Sequence, residues 1–544
     1  MIYYACRYFP LLAAQGLGQE AEMINGAAED FSRADALIHE NTCGYAKALI
    51  GSVLEGNVRE LVLTSCCDCM KRTFDVLQEY GDLDFFYELD LPHDDNSCAK
   101  EYYAAQIEGF IHAYEQYKGV SFDAGLLEEV TGKPPASFDH VLLTGGRASD
   151  ELVADIKKIS GLPLVNTTCS GAHPYTGPLP KFKGVRDFAS WYGDLLLSQP
   201  GCMRMNDISL RRTGIEDPHV KGVIYHTVKF CEFYPFEYSR IKGRTRLPMT
   251  RIETDFTRQS AGQIRTRVEG LMENISGEIG MTGRVNSKGG YAVGIDSGST
   301  STNAVILDLD GGFVAAAIVP TGVRIKDSSA RAVAAAMENA GITEEDVYSK
   351  VATGYGRNGI APDGSTVTEI SCHARGARWL DPDVRTVIDI GGQDSKVIAL
   401  DDDGSIRNFV MNDKCAAGTG RFLDNMARVL ETDMDTMSER GLRWQEDLTI
   451  SSMCTVFAES EVVSLIADGK NESDIIHGLN KSVALKISSL VSRVGRREKI
   501  MMTGGVARNR GVVKAIEEQL DCRLVVPEKA QLAGAIGAAL YALQ

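Results

Sequence analysis

Short apolar runs alternate with amphipathic helical patterns through the first half of the chain. The runs Glu60–Leu63, Val141–Leu143 and Val223–Val228 have the length and apolarity of buried strands. Two further runs, Ala36–His39 and Leu162–Val165, have the same character. Because helical patterns follow these runs, the order of elements predicts parallel α/β sheets.

Each of these predicted strands ends close to a cysteine or to a pair of glycines. Cys43 follows Ala36–His39, and Cys66 and Cys67 follow Glu60–Leu63. Cys169 follows Leu162–Val165, and Cys231 follows Val223–Val228. The carboxyl ends of parallel strands meet at one edge of a sheet, so we expect these thiols to converge there. Convergent cysteines indicate metal or cluster ligation more than a set of buried small side chains.

Glycine-rich motifs dominate the second half. Residues 277–290 (GEIGMTGRVNSKGG) carry five glycines and no apolar period, which predicts a linker. The strand-like run Tyr291–Ile295 follows it and leads into the motif Gly294–Asn303 (GIDSGSTSTN). The motif Val387–Lys396 (VIDIGGQDSK) repeats that arrangement, and Met502–Asn509 (MTGGVARN) ends a third strand on a glycine pair.

These three motifs predict a nucleotide site. Glycine and hydroxyl residues at a hairpin tip can direct backbone N–H groups toward phosphates. Asp296 and Asp389 stand at the ends of the two hairpin strands, where a carboxylate would face a magnesium–phosphate group. The repeated hairpin suggests a duplicated fold that clamps one nucleotide. The predicted ATP-binding residues are Gly298, Ser299, Thr300, Ser301, Gly391, Gly392, Lys396, Gly504, Gly505 and Asn509.

Composition restricts the partners and the cellular compartment that we expect for this protein. The formal net charge of −17 argues against nucleic acid or an anionic membrane as a partner. No secretory signal and no long uninterrupted apolar window stand out, so we expect a cytoplasmic protein without a membrane span. Disulfides seldom persist in that compartment, and the 13 cysteines therefore need another explanation.

The nucleotide pattern resembles the two-lobed ATPases of the actin, hexokinase and Hsp70 (ASKHA) superfamily. Four more motifs narrow this resemblance: Thr353–Arg357 (TGYGR), Glu369–Ala377 (EISCHARGA), Met411–Phe422 (MNDKCAAGTGRF) and Ser452–Glu461 (SMCTVFAESE). Together they resemble the activators of 2-hydroxyacyl-CoA dehydratases and the ATPase subunits of benzoyl-CoA reductases. The resemblance extends over residues 291–544.

The resemblance implies an iron–sulfur ATPase that uses ATP hydrolysis to drive electron transfer. In that family one [4Fe-4S] cluster bridges a homodimer, and the matching ligands here are Cys415 and Cys454. The sequence after Cys415 predicts the start of a helix, whose free N–H groups would stabilise thiolate charge. Asp296 and Asp389 would hold Mg²⁺ through water, and Gln393 would position the attacking water.

The first half resembles the cysteine-rich subunits of the same dehydratases and reductases. The matching stretches are Cys6–Pro10 (CRYFP), Asn41–Tyr45 (NTCGY), Ser65–Arg72 (SCCDCMKR), Val228–Glu232 (VKFCE) and Ile252–Phe256 (IETDF). Dehydratase subunits hold one cluster with three cysteines, which match Cys43, Cys67 and Cys231. The related double-cubane cluster proteins use about six cysteines, and the surplus thiols fit that branch better. The additional candidate ligands are Cys66 and Cys202, followed by Cys6 and Cys169.

The sequence therefore predicts three segments: an iron–sulfur acceptor region (1–276), a linker (277–290) and an ATPase (291–544). The predicted function is ATP-dependent, low-potential electron transfer to a fused reductase that acts on a small molecule resistant to reduction. Ferredoxin or flavodoxin would be the external donor. One alternative is a 2-hydroxyacyl-CoA dehydratase with a built-in activator. Another is a kinase or actin-like binding protein with incidental cysteines.

Overall fold

The chain folds into two compact units, Met1–Ile275 and Ser276–Gln544. The computed structural model describes residues 1–128, 138–171, 177–200, 202–206, 208–209, 214–231, 233–242, 245, 247–258, 261–276, 289–360, 365–412, 416–451 and 455–544. Within these residues, no helix combines the length and apolarity needed to cross a membrane.

Parallel strands and their covering helices build the first unit. The strands are β1 (Ile2–Tyr4), β2 (Ala21–Met23), β3 (Glu60–Thr64), β4 (Phe85–Leu89), β5 (His140–Gly145), β6 (Leu164–Asn166), β7 (Val220–Val228) and β8 (Met249–Thr254). The helices are α1 (Leu11–Gly16), α2 (Ser32–Asp35), α3 (Gly44–Leu54), α4 (Asp68–Tyr80), α5 (Ser97–Lys118), α6 (Asp150–Ser160), α7 (Val185–Leu197), α8 (Phe233–Lys242) and α9 (Ala261–Ser276).

The strands form two sheets, with orders β2-β1-β3-β4 and β6-β5-β7-β8. Every pairing between these strands is parallel, which confirms the α/β prediction. Helices bury apolar side chains on both faces of each sheet, as Phe110 and Leu49 do on opposite sides of the first. Such two-sided burial explains why β3 is buried at every position and carries three consecutive apolar residues, Leu61–Leu63.

One predicted strand of this unit was wrong. Ala36–His39 follows the short helix α2 and forms turns, because Leu37 and Ile38 both donate backbone N–H groups to the Ala34 carbonyl at 2.9 Å. Local helical bonding therefore takes the place of the strand pairing that the apolar run suggested. The run at Leu162–Val165 does contain a strand, which begins two residues later than predicted, at Leu164.

The second unit contains antiparallel hairpins extended by parallel strands. Its strands are β9 (Tyr291–Ser297), β10 (Ser301–Asp308), β11 (Phe313–Pro320), β12 (Val347–Thr353), β13 (Thr386–Ile390), β14 (Ser395–Leu400), β15 (Ile406–Asn412), β16 (Ile500–Thr503) and β17 (Leu524–Val525). Its helices are α10 (Ile325–Ala340), α11 (Arg357–Ile360), α12 (Glu369–Leu380), α13 (Gly420–Val429), α14 (Met434–Arg440), α15 (Thr455–Ala467), α16 (Glu472–Val494), α17 (Arg510–Leu520) and α18 (Ala533–Ala542).

The two sheets of this unit repeat one topology. Their orders are β11-β10-β9-β12 and β15-β14-β13-β16-β17. In each sheet three successive strands pair antiparallel, and a later strand adds in parallel beside the first. The duplicated two-lobed fold expected from the repeated hairpins is therefore confirmed.

Helices α12 and α18 pack in backbone contact between the two lobes. A Cβ atom on Gly537 would overlap the carbonyl oxygen of Cys372, and one on Gly376 would overlap that of Ala533. Gly294 of β9 makes an equally close approach to α18. Only glycine permits such contacts, and they fix α12 against the strand that carries the first phosphate loop.

Candidate functional site

The two predicted phosphate loops present the same arrangement at the ends of β9 and β13. Asp296 pairs in register with Thr353 of β12, and Asp389 pairs in register with Thr503 of β16. Both aspartates are buried. The Thr503 hydroxyl donates to Asp389 Oδ1 at 2.9 Å, so the second carboxylate is also held by its neighbouring strand.

Glycines leave room around both carboxylates. Gly354 and Gly504 follow β12 and β16 with φ of +85° and +86°. A Cβ on Gly354 would lie 2.6 Å from Asp296 Oδ1, and one on Gly504 would lie 2.8 Å from Asp389 Oδ1. Positive φ and this lack of space both require glycine. The glycine motifs therefore shape the carboxylate surroundings as well as the loop backbone.

The two loops meet across the lobes. A Cβ on Gly392 would overlap the Thr300 hydroxyl, and the Ser299 hydroxyl lies 3.2 Å from the same position. Gly298 donates its N–H to the Ser301 carbonyl at 3.0 Å, which closes the first loop into a turn. The hydroxyl and glycine positions predicted to bind phosphate are thus brought together at one place.

His373 of α12 lies between the two aspartates. Its Nδ1 is 3.2 Å from Asp389 Oδ1, and its Nε2 is 3.8 Å from Asp296 Oδ2. Burial raises the pKa of Asp296 above its ordinary value. Burial acts in the same direction on Asp389, but His373 and Lys396 outweigh it and lower the pKa to about 2. Asp389 is therefore the more strongly ionised of the two carboxylates.

Lys396 is a buried cation shared by three carboxylates. Its Nζ lies 3.0 Å from Asp389 Oδ2, 2.8 Å from Asp394 Oδ2 and 3.5 Å from Glu369 Oε2. The surrounding carboxylates raise the pKa of Lys396 well above its ordinary value despite its burial. Lys396 thus offsets part of the negative charge at the second loop. Its predicted contact with ATP stays a prediction.

Two further predicted positions, Gln393 and Asn509, and two neighbouring hydroxyls fit a polar ligand. Gln393 is exposed at the loop tip. Ser297 Oγ and Thr353 Oγ1 are buried without hydrogen-bond partners in the described structure. Asn509 caps α17 by accepting from the Val512 N–H at 3.1 Å, which leaves its Nδ2 buried and unpaired. Orphaned polar atoms of this kind are satisfied when a polar group such as a magnesium nucleotide binds.

The two predicted bridging ligands, Cys415 and Cys454, lie outside the described residues. The helix expected directly after Cys415 is α13, and it begins only at Gly420. Its first N–H groups are bonded to the second phosphate loop, since Gly420 donates to Gly391 O and Arg421 donates to Gly392 O, both at 2.8 Å. The segment after Cys415 is therefore attached to the nucleotide site through the backbone.

Cysteines gather at the carboxyl ends of the strands in the first unit, as the sequence predicted. Cys6 and Cys66 follow β1 and β3 of one sheet, and Cys169 and Cys231 follow β6 and β7 of the other. The gathered set is Cys6, Cys43, Cys66, Cys67, Cys69, Cys169, Cys202 and Cys231. Cys43 and Cys67 stand at the N-cap positions of α3 and α4.

Thiol–thiol contacts connect this set. Cys6 lies beside Cys66, Cys66 beside Cys67, and Cys67 beside Cys69. A second group pairs Cys169 with Cys202, and the Tyr234 hydroxyl lies 3.0 Å and 3.3 Å from their sulfurs. Cys231 lies within electrostatic reach of both Cys43 and Cys202, which links the two groups.

The carboxyl edges of the two sheets face each other around these thiols. Ala28 of the first sheet's loops donates to the Phe256 carbonyl beyond β8 at 3.0 Å. A Cβ on Gly44 would overlap the Asp255 carbonyl oxygen, so α3 begins in contact with the second sheet. Cysteines from both sheets can thus serve one site.

The donor set fits a multi-iron cluster. No group of three or more His, Cys, Asp or Glu side chains within the described part of the chain could hold a single metal ion. Cluster cysteines bind different irons and need not surround one point. The Cys66 hydrogen bond and burial raise the pKa of Cys6 well above its ordinary value, whereas the Cys67 hydrogen bond lowers the pKa of Cys69 to about 7.

The sequence analysis did not single out three residues that the structure places at the two sites. Cys69 joins the thiol group, and the Cys-x-Cys spacing with Cys67 could have indicated it. His373 and Glu369, although inside a recognised motif, were not singled out. Cys98 lies exposed in the first turn of α5, away from any described contact with the other thiols.

The duplicated sheets, with two glycine-rich loops around Asp296 and Asp389, define a two-lobed nucleotide-binding ATPase of the actin, hexokinase and Hsp70 class. The chain belongs to the BadF/BadG/BcrA/BcrD ATPase family, whose family model matches residues 293–542. The model of the 2-hydroxyglutaryl-CoA dehydratase D-component matches residues 1–133 and 141–275. The resemblance of each half to its family is therefore confirmed.

Three known proteins illustrate this similarity. The 2-hydroxyisocaproyl-CoA dehydratase activator of Clostridioides difficile is 45% identical over 252 residues, covering 46% of this chain and 94% of the activator. The activator of lactoyl-CoA dehydratase of Anaerotignum propionicum is 49% identical over 47% of this chain and 98% of its own. The crystal structure of Acidaminococcus fermentans (R)-2-hydroxyglutaryl-CoA dehydratase component A is 47% identical, covering 46% of this chain and 97% of that one, with a TM-score of 0.45.

Replacing Lys396 with methionine should destabilise the second unit by about 3–5 kcal/mol, because three carboxylates lose their shared cation. The pKa of Asp389 should rise, since burial would then be opposed by fewer positive charges. Because the pKa of Asp389 falls from 3.8 in the unfolded chain to about 2 in the folded chain, its ionised carboxylate stabilises the fold at pH values above 3.8. This stabilisation is lost as the pH falls through about 2. In Lys396→Met this stabilisation should be largely absent at neutral pH.

Calorimetric unfolding of the full chain between pH 5 and 8 measures this change. Lys350→Met is the matched control, because Lys350 is a more exposed lysine whose partner is the exposed Glu344. Exposed pairs contribute about 0–1 kcal/mol, so this control should melt like the wild type. Equal melting temperatures for the two variants would contradict the role of Lys396.

Proposed function

We propose that the chain is an ATP-dependent iron–sulfur reductase, in which residues 291–544 hydrolyse ATP and drive electrons into residues 1–276. The observation that carries this proposal is the convergence of eight cysteines at the facing edges of two parallel sheets. A cubane is held by at most four cysteines, so this set exceeds the need of one. The surplus supports a double-cubane site that reduces a small, resistant molecule.

The ATPase site supports hydrolysis of a magnesium nucleotide. In this proposal Asp296 and Asp389 hold Mg²⁺ through water, and the ionised state of Asp389 suits that task. Gln393, exposed at the tip of the second loop, positions the attacking water. His373 lies between the two carboxylates, with Nδ1 3.2 Å from Asp389 and Nε2 3.8 Å from Asp296.

A backbone connection supports coupling between ATP and the bridging cluster. Gly391 and Gly392 accept hydrogen bonds from Gly420 and Arg421, five and six residues beyond Cys415. Movement of the phosphate loop would therefore displace α13 and the segment before it. Cys415 would hold the bridging [4Fe-4S] cluster, which supplies the low-potential electron.

Exposed apolar side chains support assembly of two copies at that cluster. Helix α15 begins directly after Cys454, the second proposed ligand, and leaves Val456 and Phe457 about two-thirds exposed. Val463 and Ile466 are also exposed on this helix. An apolar surface of this kind is characteristic of a protein interface. We propose a cytoplasmic homodimer that receives electrons from ferredoxin or flavodoxin.

Iron, measured together with acid-labile sulfide after oxygen-free purification, should reach about ten atoms per chain. This sum represents about eight in a double cubane and half of a shared four-iron cluster. The double variant Cys415→Ser, Cys454→Ser should lose about two irons per chain and the dimer, because cluster binding and assembly are linked. Cys98→Ser is the control and should keep the wild-type content.

Other iron contents would indicate other cluster arrangements in this protein. About six irons per chain would favour a single [4Fe-4S] cluster of the dehydratase type in the first unit. About two per chain would leave the first unit without a cluster and would contradict the proposed acceptor.

Replacing Gly420 with proline should separate ATP hydrolysis from electron transfer. Proline removes the N–H that Gly420 donates to Gly391, yet suits the first position of a helix. Thr419 already has the extended backbone that a following proline requires. Loss of one hydrogen bond of about 1.4 kcal/mol would raise the ATP used per electron transferred by up to about tenfold.

Gly420→Ala is the control for this experiment, because it adds a Cβ but keeps the N–H. Both quantities come from one assay, in which phosphate release and oxidation of the electron donor are followed together. If proline and alanine variants give the same ratio, the backbone connection does not carry the coupling.

A second candidate is a 2-hydroxyacyl-CoA dehydratase with a built-in activator, favoured by the dehydratase family match over residues 1–133 and 141–275. The consumption of reductant separates the two functions. A reductase should consume donor electrons in proportion to product. A dehydratase recycles its electron, so catalytic amounts of reductant would support many turnovers of an acyl-CoA substrate. That result would replace the proposed function with this alternative.

A further inference from the structure

Arg147 is a buried cation at the edge of the second sheet. It follows β5, and only 6% of its surface is exposed. Nη1 donates to Asn25 Oδ1 at 3.0 Å, Nη2 donates to the Ala5 carbonyl, and Cζ lies 4.0 Å from the centre of the Tyr45 ring. Among the described residues no carboxylate pairs with it. Its guanidinium is thus held in place by neutral groups.

Arg204 is a second cation that has no carboxylate partner among the described residues. It stands two residues after Cys202, and its Cζ lies 5.8 Å from the centre of the Phe233 ring. Its Nη1 is buried and has no hydrogen-bond partner in the described structure. Here too the described residues supply no carboxylate partner. A buried N–H of this kind costs about 1–3 kcal/mol unless an acceptor is supplied.

The titratable groups around both arginines are mainly cysteines, with Tyr45 in addition beside Arg147. Cys169, Cys6 and Cys66 interact electrostatically with Arg147. Cys66, Cys202, Cys67 and Cys6 interact with Arg204. Cys6 and Cys66 thus lie within electrostatic reach of both cations.

Buried cations are stabilised by a buried anion. Protonated thiols are neutral and cannot fill this role. Thiolates that ligate iron, together with bridging sulfides, carry negative charge and accept hydrogen bonds. The missing partner of these two arginines therefore has the chemistry of an anionic iron–sulfur group.

We propose that Arg147 and Arg204 are positioning residues that supply positive charge to the iron–sulfur site of the first unit and stabilise its reduced form. The inference rests on the proposed function and identifies what sets the electron affinity of that site. Reduction adds one electron from the ATPase unit, or from titanium(III) citrate in the test below, and makes the site more negative by one charge. Neither arginine gains or loses a proton.

Arg204 offers the sharper test. Arg147 also holds Asn25 and Ala5, so its replacement would alter the fold as well as the charge. Arg204→Gln removes the charge and keeps polarity, and Arg204→Lys keeps the charge without the planar donor fork. Arg186→Gln is the control, because Arg186 is exposed on α7 and pairs with Glu108 at 2.7 Å.

Full-length protein carrying Cys415→Ser and Cys454→Ser removes the signal of the bridging site. Titration with titanium(III) citrate, followed by electron paramagnetic resonance, then reports the first unit alone. Arg204→Gln should lower the ratio of reduced to oxidised site about tenfold at a fixed potential, or about 59 mV for a one-electron couple. Arg204→Lys and Arg186→Gln should stay near the wild-type ratio.

An unchanged ratio in Arg204→Gln with full iron content would overturn the inference. If that variant does not load iron, Arg204→Lys decides: loading with a near-wild-type ratio supports the role of charge, and a tenfold shift overturns it. Absence of iron from the first unit of the parent protein is a different outcome, because it overturns the proposed function itself.

Discussion

Charge buried at the ends of strands must be matched by charge of opposite sign, and this constraint shapes both units. In the ATPase unit much of this match is made within the chain, because Lys396 lies among the carboxylates of Asp389, Asp394 and Glu369. In the first unit it is not, because Arg147 and Arg204 face thiols without a carboxylate among the described residues. One site is therefore preorganised by its own side chains, whereas the other has the electrostatics of a site completed by an anionic cofactor.

Strand topology explains why these charges meet. Parallel pairing aligns Asp296 with Thr353 and Asp389 with Thr503, and the following glycines admit the carboxylates. In the first unit the same pairing places cysteines at the facing edges of two sheets. Because register fixes which residues end each strand, a slip of one residue would turn these side chains to the other face. The function of both units thus depends on the same hydrogen-bonded ladders.

The sequence predicted features that depend on local pattern. Buried parallel strands such as Val223–Val228, the duplicated loops and most of the thiol set followed from apolar runs and motif spacing. Ala36–His39 failed because a short apolar run does not distinguish a strand from turns that follow a helix. The late start of α13 and the burial of Lys396 depend on contacts distant in sequence, as do the positions of Arg147 and Arg204. No local pattern encodes such contacts.

In the proposed function, the fusion of the two units bears on how the ATPase acts on its acceptor. A covalent connection raises the effective concentration of donor at acceptor without requiring a large permanent interface. The proposed coupling also needs a structural connection between nucleotide and cluster. Side chains can contribute little to it, because the phosphate loops are rich in glycine. Backbone hydrogen bonds from Gly420 and Arg421 to Gly391 and Gly392 suit it better, because they move with the loop and cannot change rotamer. Gly391 and Gly392 therefore permit the close backbone contact through which, in the proposed function, α13 would follow the nucleotide.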